Sequence, residues 1–141
     1  MRLRSWTTAI VLTAALGGCA ANELETRRKA SHAALAQYPT AKAPVQAAYQ
    51  LAAIDDAGRG VLEVVNLSDA AAPAGSLWVN ARFVSNVPSV PARSLITVKY
   101  GDLLESGQAV SDLARSKVAV AKVELEVPGQ GLVTVLGPGK R

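Results

Sequence analysis

With one cysteine, Cys19, among 141 residues, the chain cannot close an intrachain disulfide in any compartment. Histidine is as scarce: His32 stands alone among alanines, ahead of the strand-rich part of the chain, and reads as an exposed polar residue. One histidine cannot build a histidine-based metal centre, and a Ser-His-Asp set would have to bring His32 onto a distant sheet without any G-x-S-x-G elbow. Gly-rich phosphate loops are missing too, since Gly129-Gln130-Gly131 suits only a hairpin turn. Aromatics make up 4% of the residues, so a core must be assembled from Val, Leu, Ile and Ala around Trp78, Phe83, Tyr38, Tyr49 and Tyr100. The first apolar stretch, Ser5 to Ala15, falls short of the about 20 residues that a membrane-spanning helix requires.

What the N-terminus does contain is ordered. Arg2 and Arg4 form a positive segment, the uncharged Ser5–Ala15 stretch follows, and Leu16-Gly17-Gly18-Cys19 closes it. This sequence, a lipobox ending on the chain's sole cysteine, resembles the processing site of bacterial lipoproteins. The resemblance implies a diacylglyceryl group on the Cys19 sulfur and cleavage between Gly18 and Cys19. Residues 1–18 are then a signal peptide, 19–44 a lipid-anchored tether and 45–141 a folded domain. Two or three acyl chains hold a protein on a bilayer almost permanently, whereas one binds marginally. In such lipoproteins an aspartate directly after the cysteine tends to retain the protein in the inner membrane. Ala20 and Ala21 stand there instead, which implies the outer membrane, facing the periplasm, in an organism with two membranes. Removal of 18 residues leaves 123, with 13 basic against 11 acidic side chains. A net charge of +2 argues no nucleic-acid partner; the high pI belongs partly to the leader.

Behind the cysteine, Asn22 as a cap with Glu25 three residues on predicts a weak helix that Pro39 stops. The tether reads either as a solvated arm that orders only on something else, or as a segment whose Arg27-Arg28-Lys29 lies on phospholipid head groups while Leu35 and Tyr38 meet the membrane or the domain. Periods of two predict strands over 45–54, 60–67, 77–84, 95–100, 117–127 and 132–136, with turns at Asp55–Gly60 and Pro128–Gly131, a helical turn near Ser111–Arg115 capped by Ser111, and a short basic tail over Gly137–Arg141. Pro88 and Pro91 mark 87–91 as an edge or a crossover. The expected architecture is mainly β: a small antiparallel β-sandwich of five or six strands, Ig-like in general character but without the signature cysteines, preceded by the partly helical tether.

Candidate chemistry is sparse. Asp55-Asp56 offer two clustered carboxylates where calcium takes 6 to 8 oxygens, so they read as a solvated turn. Lys122, Glu124 and Glu126 share one strand face and read as a charge-balanced exposed surface. Ser116-Lys117 as a dyad fails because adjacent strand residues point to opposite faces. A row of Trp78, Asn80 and Arg82 on one face of the 77–84 strand has the composition of a protein-docking surface, with a place for Trp78 in the core as the competing expectation. No catalytic group, metal or cofactor is implied. The expected function is that of a non-enzymatic envelope lipoprotein, held on the membrane through acylated Cys19, whose β domain docks on a protein or cell-envelope partner. The alternative is a ligand-binding or accessory module with a pocket between Asp55-Asp56 and the 101–116 connection.

Overall fold

The computed structural model describes residues 15–39 and 47–140. Its first element is a helix, α1 (Ala15–Leu35), that runs without a break through Gly17, Gly18 and Cys19. Helix formers and local charge pairs explain it. Glu23 meets Arg27 at 2.5 Å and Glu25 meets Lys29 at 3.3 Å, each glutamate four residues N-terminal to its cation, the favourable orientation. Asn22 therefore lies inside the helix rather than capping it, its carbonyl accepting from the Thr26 hydroxyl at 2.9 Å. The helix stops at Leu35, ahead of Pro39. Among the described residues no helix is long and apolar enough to cross a membrane.

The rest is mainly β, as expected, and sandwich-like. It has more strands than the pattern indicated: β1 (Leu51–Asp56), β2 (Val61–Asn66), β3 (Gly75–Val79), β4 (Phe83–Val87), β5 (Leu95–Lys99), β6 (Leu104–Glu105), β7 (Gln108–Asp112), β8 (Val123–Val127) and β9 (Gly131–Lys140). They form one curled sheet in the order β5-β2-β1-β9-β8-β3-β4-β6-β7. All neighbours are antiparallel except β1 and β9. β9 joins the two layers: its first half pairs with β8, and beyond Val135 it leaves that layer and runs parallel to β1. Leu51, Ala53, Leu62, Val64 and Val98 of one layer then face Leu77, Val79, Phe83, Val123, Leu125, Val133 and Val135 of the other in a single buried cluster.

Four strand expectations are corrected. Of the expected 45–54 strand, residues 45 and 46 lie outside the described residues, and β1 begins only at Leu51 and runs on through Asp55 and Asp56, both expected in the turn. The predicted 77–84 strand is two strands, because Asn80 (φ 55°) and Ala81 (φ 56°) both take the left-handed conformation in the three-residue hairpin loop 80–82. The Asn80 side chain fixes that loop from a distance, donating to the Ala119 carbonyl at 2.8 Å and accepting from the Ala121 and Lys122 amides at 2.8 and 3.1 Å. The predicted 117–127 strand begins only at Val123, and Gly137–Lys140, expected as a tail, continues β9. The expected helical turn is present as α2 (Leu113–Ser116), capped by the side chain of Asp112, which accepts from the Arg115 amide, rather than by Ser111.

Candidate functional site

Two places matter: the Cys19 stretch and the seam where the segment after it meets the sheet. The backbone of Leu16–Cys19 lies in α1. Glycine lowers helix stability by about 1 kcal/mol relative to alanine, so Gly17-Gly18 weaken α1 at this point.

The end of the tether is no solvated arm. It docks. Ala33 is fully buried against Trp78, Val84 and Leu132, with Ala36, Tyr38 and Leu104 closing the edges of this second apolar cluster. Alanine at position 33 permits a close approach, and its carbonyl accepts from the Gly107 amide at 3.0 Å while the Ala36 carbonyl accepts from the Ser106 hydroxyl at 2.5 Å. Lys29 adds an ion pair to Asp102 at 3.1 Å.

Tyr38 locks the segment down. Its ring stands edge-on to Trp78, with centroids 5.4 Å apart and planes at 85°, a favoured aromatic arrangement. Its hydroxyl donates to Glu124 Oε2 at 2.5 Å, and Lys122 Nζ reaches Glu124 Oε1 at 2.7 Å and the Tyr38 hydroxyl at 3.3 Å. Burial, then the hydrogen bond to Glu124, pushes the Tyr38 hydroxyl above its ordinary value, so it stays protonated and donating at neutral pH. Glu124 is therefore 4% exposed, which corrects the expected solvent-facing carboxylate row.

The Trp78, Asn80, Arg82 row does not exist as a surface. Trp78 is 1% exposed, and its indole Nε1 donates to Glu126 Oε2 at 2.8 Å. Asn80 sits in the hairpin loop it anchors. Arg82, the last residue of that loop, lies 5.2 Å over the Phe83 ring and pairs with Glu105 at 2.7 Å. The place expected for a partner is filled by the chain's own residues 33–38. Sequence reasoning missed Ala33, Tyr38 and Glu124 as a unit. The available signals were a buried-sized aromatic just before Pro39 and two glutamates alternating with apolar residues on a strand.

Asp55 and Asp56 end β1 and point to opposite faces, so they do not act as a pair. Asp56 pairs with Arg59 at 2.6 Å. Asp55 is buried and accepts from the Tyr100 hydroxyl. The latter contact links it to the start of the 101–116 connection. Burial raises the Asp55 carboxyl above its ordinary value, Lys140 opposes this, and Asp56 adds to it. The folded chain thus holds the proton to higher pH than the unfolded chain, and stability falls as pH rises through the window that opens near the ordinary value of 3.8. Asp55→Asn should melt higher than the parent at pH 7, and the gap should close as pH is lowered below that window in thermal melts from pH 3 to 8.

His32, expected in solvent, lies half-buried in the seam with Nε2 3.4 Å from the Ser76 hydroxyl. Clefts of about 220 and 300 Å³ flank the Lys29–Asp102 bridge, the first lined by Arg28, His32 and Asn86, the second by Asn22, Thr26 and Gly101. Set beside known proteins, the chain matches no family model, no curated sequence and no solved structure.

Proposed function

We propose that the protein is a non-enzymatic envelope lipoprotein, fastened to a bilayer by an acylated Cys19 at the periplasmic face of an outer membrane, with its β domain held there to dock on a protein or envelope partner. The observation that carries this reading is the lipobox Leu16-Gly17-Gly18-Cys19 behind a basic and then apolar leader, ending on the only cysteine. A physical feature supports it: α1 leads from Cys19 directly into the docked segment, so an anchor at the sulfur is an anchor for the whole domain. Docking in this reading no longer draws on Trp78. It draws on the exposed apolar side chains of the other layer, Leu67, Leu95 and Leu136.

The test is mass spectrometry of the product made from the full chain in a host with a lipoprotein pathway, grown with labelled palmitate. The expected N-terminus is Cys19 carrying a thioether-linked diacylglyceryl group, with residues 1–18 removed. Cys19→Ser should take up no label, keep its leader and be lost from the detergent-extracted mature fraction. A free Cys19 thiol in the wild-type product, or a retained leader, overturns the reading.

A further inference from the structure

The fold treats the two ends of its sheet differently. β7, at one end, lies beside α1, which takes a hydrogen bond from Gly107 in the turn leading into it. β5, at the other, has no strand on its outer side among the described residues. The β2–β5 register shows which groups that edge presents. The Asn66 amide donates to the Ser94 carbonyl and the Tyr100 amide donates to the Gly60 carbonyl. With Val64 opposite Ile96 and Leu62 opposite Val98 in the same register, the backbone groups of Ile96 and Val98 belong to the bonds with β2. Those of Leu95, Thr97 and Lys99 point away from the sheet.

Such an edge is a template for another strand, and proteins commonly blunt it with proline, a bulge or several charges. Leu-Ile-Thr-Val-Lys carries no proline, its pairing shows no register shift, and its one charge stands at the end. Leu95, Thr97 and Lys99 are exposed on the outer face, while Val98 is buried and Ile96 packs against the core.

We propose that β5 pairs antiparallel with β5 of a second copy of this chain, across a two-fold axis through Thr97. The strand is complementary to itself in that register. Leu95 falls opposite the partner's Lys99 and Thr97 opposite the partner's Thr97, each pair exchanging both backbone hydrogen bonds, and no like charges face one another. Thr–Thr is a favourable cross-strand pair. Ile96 and Val98 fall opposite each other on the core side, so the two cores become continuous. The contact is isologous and closes at two copies. It stands whether or not Cys19 is acylated.

The experiment is analytical ultracentrifugation of the full chain in detergent micelles under reducing conditions, so that Cys19 cannot crosslink, with three variants. The wild type should show a concentration-dependent dimer. Leu95→Glu places a carboxylate opposite the partner's Lys99 at two symmetric sites and should tighten the dimer by about 2- to 30-fold, whereas Leu95→Lys sets like charges opposite and should loosen it. Thr97→Pro removes an outward amide that no bond within the chain uses, and should abolish the dimer while the melting temperature stays within a few degrees. A wild type that stays monomeric, a Thr97→Pro variant that still dimerises, or Glu and Lys variants that shift the constant in the same direction would each overturn the proposal.

Discussion

Trp78→Ala should lower the melting temperature of the domain by about 12–40 °C and free the segment that carries Tyr38. The estimate follows from packing. Truncating a fully buried tryptophan costs about 3–5 kcal/mol, and in a domain of this size each kcal/mol moves the midpoint by about 4–8 °C. Here the indole also partners the Tyr38 ring and Glu126, so its removal opens the seam beneath residues 33–38 and leaves a carboxylate without its donor. Hydrogen exchange should report both effects, with the Gly107 amide, bonded to the Ala33 carbonyl, losing protection first. A surface residue would give a small shift and an unchanged exchange pattern, the result expected of a docking residue.

Gly137→Ala should be comparably damaging through a different route. At this point β9 leaves β8 and begins to run beside β1, and Gly137 holds φ at +113°. A Cβ built there would stand 2.7 Å from the Ala53 carbonyl oxygen and 2.9 Å from the Gly139 amide nitrogen, both backbone atoms that cannot swing away. Strain of about 1–2 kcal/mol for the left-handed conformation and about 1–3 kcal/mol for the overlap give an expected loss of about 2–5 kcal/mol in chemical denaturation. The damage should centre on the β1–β9 contact, the one parallel pairing and the link between the layers. Gly101→Ala is the control: nothing lies within 4 Å of its Cβ and its backbone needs no special conformation, so it should be neutral or stabilise by up to about 1 kcal/mol.

The elements that could be read from residues alone are those specified locally. β2 and β5 are legible from alternation and the β1–β2 turn from its glycines, all contained within each stretch, although β1 starts at Leu51 rather than 45 and takes in Asp55 and Asp56. The same is true of the lipobox, a motif of neighbouring residues. What escaped was set by distant partners. Val-Asn-Ala-Arg has no glycine and reads as continuous strand, and only the bonds from Asn80 to residues 119–122 make it a turn. The dipeptide Gly137-Pro138 looks like an ending, yet β9 continues because β1 lies alongside. The tether looked solvated since its apolar residues are mostly alanines, and alanine signals burial only when a helix can press it onto a sheet, as Ala33 does. Trp78 was ambiguous for the same reason: its neighbours alone do not say whether anything covers it.

The unbroken run of α1 from the cysteine into the seam has a mechanical meaning. Fourteen residues at about 1.5 Å each put the sulfur-bearing position only some 20 Å of rod away from Ala33. A globule on a stiff post sweeps an arc and keeps one side toward its support, whereas one on a slack string tumbles through a hemisphere. With Cys19 acylated as proposed, the sheet would present a set orientation to whatever approaches along the lipid plane, and two neighbouring copies would meet with their posts already aligned.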